Sequence, residues 1–224
     1  MLLERFQEIS ACLPSNVKLL AVSKGHPVES ICSLADIGQV DFGESRLQEA
    51  LPKLEAFEET KNIRWHFIGR LQSNKVRSIV RSFDFIHSVD SLALAERISR
   101  ISLEEKRCPQ IMLQVKFRED PTKAGFAPDK LIEDWPRLLL LEHIRIVGLM
   151  TMAPIRLDLN ERKGLFSDCR GLANKLNLAD CSMGMSNDWQ QALEAGATWL
   201  RLGSSLFGER PKHINSPTDI TKSG

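Results

Sequence analysis

Short apolar runs recur along the chain at fairly even spacing, and each is followed by a longer stretch in which apolar residues return every three or four positions. The first kind of run reads as a strand and the second as an amphipathic helix. Eight strands are predicted: Lys18–Val22, Val40–Phe42, Arg64–Ile68, Phe83–Val89, Gln110–Val115, Ile144–Leu149, Ala179–Met183 and Thr198–Leu202. The unbroken run Leu19–Val22 suits a strand buried on both faces, as in a parallel sheet. Between strands, Pro27–Ile37 carries Val28, Ile31, Leu34 and Ala35 on one helical face, with Pro27 suited to the first turn and Gly38 to the C-terminal cap. A short amphipathic helix with Leu2, Phe6 and Ile9 on one side precedes the first strand. Eight βα units predict an α/β fold, a single TIM (β/α)8 barrel with an extra N-terminal helix; a doubly wound open sheet is the rival topology. No linker or low-complexity segment divides residues 1–224, and the polar stretch 212–224, which contains Pro217, reads as a loose tail.

Composition narrows the partners. With 30 basic and 29 acidic residues the formal charge is +1, and no stretch concentrates Lys and Arg as nucleic-acid binding demands. Small molecules are therefore the expected ligands, with no nucleic acid and no membrane. The longest greasy run, Arg137–Met150, is broken by Glu142, His143 and Arg145, and Glu4 and Arg5 interrupt the start of the chain where an export signal needs its apolar core. Five scattered cysteines without a CxxC pair read as reduced thiols of a cytoplasmic protein. The five histidines lack metal-ligand spacing, so no metal is expected. No apolar stripe free for a dimer is identifiable, and a monomer is expected. The chain contains no tyrosine.

In a TIM barrel the functional residues stand at the C-terminal ends of the strands, and phosphate is commonly held by the loops after strands seven and eight. Those loops here are "SMGMSND" and "RLGSSLFGE", each with Gly and Ser ahead of a helical stretch, where backbone N–H groups and hydroxyls can converge on an anion. Singly, Ser186 and Ser204 read as ordinary helix N-caps; together in this architecture they favour a phosphate cup. Lys24 follows the first strand. An amine among apolar walls, near a guanidinium such as Arg201, is pushed toward its neutral, nucleophilic form and suits Schiff-base formation. A solvated lysine at a strand end is the plain alternative, but a phosphorylated aldehyde could be anchored by the cup and bonded to Lys24. Ser45 reads either as the N-cap of an S-x-x-Q capping box with Gln48 or as a ligand contact. His66, inside an apolar strand, reads as a core histidine.

The stretches "AVSKGHP", "DFGESRLQE", "WHFIGRLQSNK", "HSVDS", "TKAGF", "GLMTM", "SMGMSND" and "LRLGSSLFGER" occur in the order expected of the pyridoxal-phosphate homeostasis proteins, the YggS/PROSC family, and the chain resembles that family, its cyanobacterial type included, from about Lys18 to Arg210. The resemblance implies a barrel like the N-terminal domain of alanine racemase and pyridoxal 5′-phosphate (PLP) as cofactor, bound as a covalent aldimine to Lys24. It implies phosphate contacts from Ser186, Gly203 and Ser204, Arg201 at the pyridine nitrogen, and Met183, Gly184 and Met185 lining the same cup. It further implies a role in vitamin B6 and amino-acid homeostasis, with PLP-dependent apoenzymes or a regulatory protein as partners and no established turnover. Two departures stand out: Ser45 and Arg46 replace the Asn-Tyr usual in the family, putting the cofactor contact assigned to Ser45 in doubt, and Lys116 replaces an Asn.

A carrier and an enzyme are the competing readings. A permanently cationic Arg201 cannot accept a proton from the ring nitrogen, so the ring is a weak electron sink. Alanine racemase also places Arg there, but its second base is a tyrosine from another domain, and this chain has neither. The expectation is a PLP-binding carrier or regulator; the alternatives are a racemase-like enzyme of narrow scope, with His66 as first candidate for the missing base, and a Schiff-base aldolase acting on phosphosugars.

Overall fold

In the computed structural model, which describes residues 1–57, 62–120 and 122–209, eight parallel strands close into a barrel in sequence order. They are β1 (Lys18–Val22), β2 (Asp41–Glu44), β3 (Arg64–Phe67), β4 (Phe85–Val89), β5 (Gln110–Gln114), β6 (Arg145–Met150), β7 (Asp180–Ser182) and β8 (Trp199–Leu202). The helices are α1 (Leu2–Ala11), α2 (Val28–Ala35), α3 (Leu47–Phe57), α4 (Val76–Ser82), α5 (Leu92–Glu104), α6 (Pro128–Leu138), α7 (Leu159–Lys175), α8 (Trp189–Glu194) and α9 (Ser204–Phe207). The barrel expected from the strand count is therefore the observed fold, and the open-sheet alternative is excluded because β1 pairs with β8. The tail expected at 212–224 lies outside the described residues.

Side-chain alternation divides the core in two. Leu20, Phe85, Met112, Met150 and Trp199 fill the barrel interior, while Leu19, Ala21, Phe42, Ile111, Leu113, Leu200 and Leu202 point outward and pack against the ring of helices. The predicted N-terminal helix is α1; Leu2, Phe6 and Ile9 pack on the outer core, and the helix rests against α9 beside the mouth.

Strand boundaries agree with the apolar pattern within about two residues. β2 was expected at Val40–Phe42 but runs to Glu44, because a carboxylate at the strand end is taken up by Lys53 of α3 at 2.7 Å and by the Ser23 hydroxyl at 2.7 Å. The capping box expected at Ser45 does not form: α3 starts at Leu47, and Arg46 supplies the carbonyl that accepts from the Ala50 N–H. Ser45 is instead pressed against Gly69, where a Cβ would lie 2.0 Å from the Ser45 carbonyl oxygen. Only glycine permits that approach of the β3–α4 loop.

Candidate functional site

A cavity of about 490 Å³ opens at the C-terminal end of the strands. Lys24 and His26 enter it from the β1 loop, Met150 and Met152 from the end of β6, Met185 to Asp188 from the β7 loop, Arg201 from β8, Gly203 and Ser204 from the start of α9, and Arg162 from α7. Six of the residues singled out in the sequence thus meet in one space: Lys24, Met185, Ser186, Arg201, Gly203 and Ser204. Ser45 lies after β2, outside that lining, and Met183 is buried in the layer between strands and helices. Gly184 adopts φ +86, and a Cβ there would meet Ala192 Cβ at 2.6 Å. The tight turn it makes delivers Met185 and Ser186 to the cavity.

The two loops of the cup are tied to each other. Ser186 Oγ lies 3.1 Å from Ser205 Oγ and accepts the Ser205 N–H at 3.1 Å, so the β7 loop is stitched to the first turn of α9. Asp188 accepts the Met185 N–H at 2.7 Å and the Arg162 guanidinium at 3.2 Å. Arg162 also donates to the carbonyls of Leu157 and Ile155, each at 2.9 Å, which binds the β6 loop to the β7 loop. These backbone and side-chain links preform the cup's shape.

Lys24 is carried by an equally constrained turn. Lys53 donates to the Ser23 carbonyl at 2.9 Å and to Glu44, the Ser23 hydroxyl donates to Glu44, and the Gly25 N–H donates to Glu49. The residues on both sides of Lys24 are therefore clamped to β2 and α3. Glu44 and Glu49 stand in the stretch "DFGESRLQEA" that the sequence singled out, yet only the fold shows that their partner is Lys53.

Arg201 closes the floor of the cavity. It is almost wholly buried and donates from Nη1 to Ser182 Oγ at 2.8 Å and from Nη2 to the Thr151 carbonyl at 2.9 Å. Burial pulls its pKa down to about 10, so it is still a cation at neutral pH. His66 is not at the mouth: it lies inside the barrel, fully buried, with one ring nitrogen 2.9 Å from Asp41 and the other 2.9 Å from His87. It is therefore unavailable as a base in the cavity.

Residues 2–211 match the family model of the alanine racemase N-terminal domain. The curated pyridoxal phosphate homeostasis protein of Synechocystis sp. is 46% identical over 211 residues, covering 92% of this chain and 97% of that protein. The chain belongs to the pyridoxal phosphate homeostasis protein family. The member from Aquifex aeolicus is 37% identical over 86% of this chain and 87% of its own length. Among solved structures, PipY of Synechococcus elongatus without PLP matches with a TM-score of 0.91 at 45% identity, over 93% of this chain and 100% of that one. The same protein with PLP bound matches at 0.89 and 44% identity. An alanine racemase of Clostridium difficile shares the fold at a TM-score of 0.79 and 17% identity, this chain spanning 60% of it. Among the described residues no helix is long and apolar enough to cross a membrane.

The buried histidines of this family member make its stability pH-dependent. Burial, opposed by Asp41, holds His66 below its ordinary pKa, and burial with the charges of His66 and Arg201 holds His87 well below. Below the ordinary histidine value of about 6.5 the unfolded chain takes up protons that the folded one refuses. Their contribution is thus complete above that pH and lost as pH falls toward the folded values. Denaturant titrations should show stability falling from about pH 6.5 downward, by as much as about 1.4 kcal/mol per pH unit for each histidine. A stability flat from pH 6.5 to about pH 5 would show instead that both rings protonate freely in the fold.

Proposed function

We propose that this chain binds PLP in the cavity at the barrel mouth, holds it covalently through the Lys24 amine, and acts in the cytoplasm as a carrier or regulator in PLP and amino-acid homeostasis. The observation that carries this reading is the donor set collected in one space: a primary amine, an anchored guanidinium, and two Gly-Ser loops stitched together by Ser186. It fits a ligand with an aldehyde, a ring nitrogen and a phosphate. Ser186, Gly203 and Ser204 would hold the phosphate, Arg201 would donate to the ring nitrogen, and Lys24 would take the aldehyde as a Schiff base. PLP bound in PipY supports the same choice of ligand. When bound, PLP supplies an electrophilic carbonyl and a conjugated ring.

The protein's own groups argue for storage over turnover. Arg201 is a donor with no lone pair for a proton, so it keeps the ring nitrogen unprotonated and the ring a poor electron sink. The chain has no tyrosine to act opposite Lys24. One barrel holds every residue of the set, so the reading requires no second subunit, and a monomer handing PLP to apoenzymes, or binding a regulatory protein, is sufficient. The racemase-like reading is favoured by one observation: His26 lines the same cavity, its ring stacked on Phe207 at 4.6 Å.

Borohydride reduction followed by peptide mapping tests the covalent link. The expected adduct is a pyridoxyl group on the peptide carrying Lys24, absent in Lys24→Ala; reduction onto another lysine would overturn the assignment. Turnover is tested on the loaded protein with L-alanine and L-serine in D₂O. A positioned general acid or base is worth roughly a hundred- to ten-thousand-fold, so α-deuteration is expected near the rate of free PLP. Rapid exchange, lost in His26→Asn, would establish the racemase-like reading.

A further inference from the structure

A polar chain crosses the barrel interior below the cavity, and ligand contact does not account for it. Ser182 Oγ, which accepts from Arg201, lies 2.9 Å from His87 Nδ1. His87 Nε2 lies 2.9 Å from His66 Nδ1, and His66 Nε2 lies 2.9 Å from Asp41 Oδ1. The other Asp41 oxygen accepts from Arg64 at 2.7 Å. Five strands supply the links, β8, β7, β4, β3 and β2, and Arg201, Ser182, His87, His66 and Asp41 are each no more than 4% exposed.

With both imidazoles neutral, the protons in this chain can be ordered in only one way. The Asp41 carboxylate sets that order, because it only accepts: followed back link by link it leaves Ser182 Oγ giving its proton to His87 Nδ1 while accepting from Arg201. His87 then carries its proton on Nε2 and donates to His66 Nδ1. His66 carries its proton on Nε2 and donates to the Asp41 carboxylate, which only accepts. The anion at the end of the chain remote from Arg201 thus imposes one sense of donation throughout. The titratable and charged groups facing His66 are Asp41, Arg64, Asp84 and His87, and those facing His87 are His66 and Arg201. Apolar packing completes the enclosure: His66 stacks on Phe85 at 4.2 Å and tilts against Trp199 at 4.9 Å.

We propose that Ser182, His87, His66 and Asp41 are positioning residues for Arg201: their one-way hydrogen-bond chain, its direction fixed by the Asp41 carboxylate, orients the guanidinium so that its remaining N–H groups address the ligand's ring nitrogen. Such a chain polarises each link toward the next and has a single low-energy arrangement. This rests on the reading that Arg201 meets the ring nitrogen, and the test separates the two.

In the ligand-free protein labelled with ¹⁵N-histidine, long-range ¹H–¹⁵N spectra should show both buried rings as neutral Nε2–H tautomers from about pH 8 to about pH 6. An Nδ1–H tautomer or an imidazolium at either position would overturn the proposal. Affinity is then measured for PLP and for its 1-deaza analogue, in which carbon replaces the ring nitrogen. His87→Phe should weaken PLP by about tenfold, as expected for one impaired hydrogen bond from a charged group, and leave the analogue unchanged. Ser182→Ala should do the same and serves if the first variant does not fold. His87→Gln, which can accept from Ser182 and donate to His66, should restore PLP affinity. Equal losses for both ligands in the variants, or no loss for either, would overturn the proposal alone. Equal affinity of the unaltered protein for both ligands would overturn it together with the reading of Arg201.

Discussion

Ser204→Asp is expected to weaken PLP by at least about thirtyfold while changing the affinity for pyridoxal, which lacks the phosphate, by less than about threefold. Ser204 opens α9 on the cavity wall and is exposed, so the lower end of the Coulomb range applies. Two unit charges about 4 Å apart repel by about 1 kcal/mol in water, and a phosphate monoester carries nearly two. About 2 kcal/mol of repulsion corresponds to that thirtyfold loss, and raising the salt concentration should recover part of it. Ser204→Asn, similar in size but uncharged, is the control and should behave nearly as the unaltered protein. Equal losses for PLP and pyridoxal would show that the phosphate is held elsewhere.

Lys53→Met should cost about 3–5 kcal/mol of stability, read as a lowered denaturant midpoint. Lys53 and Glu44 are both buried, and Lys53 Nζ reaches Glu44 at 2.7 Å, Glu49 at 3.1 Å and the Ser23 carbonyl at 2.9 Å. Burial already pushes the Glu44 carboxyl above its ordinary pKa against the pull of Lys53 and Ser23, and its second oxygen is buried without a partner. Removing the ammonium leaves a carboxylate in a dry site with one hydroxyl donor, which is the costly half of a broken pair. Adding Glu44→Gln should return more than half of the loss, because a neutral amide can still accept from Ser23. The same single variant frees the turn that carries Lys24, so its borohydride labelling by PLP should slow. A loss under about 1 kcal/mol would mean that water reaches the pair.

Periodicity along the chain was enough to predict eight βα units and to favour a barrel, while the β1–β8 pairing that excludes an open sheet came from the tertiary structure. Eight apolar runs separated by helical stretches admit few topologies, and a strand such as Leu19–Val22, apolar on both faces, belongs only in a sheet covered on both sides. The position of Lys24 after the first strand and the two Gly-Ser loops after the last two followed from that barrel, since its chemistry collects at one end. Motif order determined the family. Pairings were beyond the sequence, because a contact between strands far apart in the chain leaves no local trace. Ser182 and His87 are ninety-five residues apart and share a hydrogen bond. Glu44 lies beyond the strand end expected at Phe42, and the tertiary structure makes it the partner of Lys53 and the anchor of Ser23. His66 could be read from the sequence as a core residue, but its bonds to Asp41 and His87 required the curvature that brings β2, β3 and β4 side by side. Burying a polar group is tolerable only where a partner waits, and the closed barrel decides where partners meet.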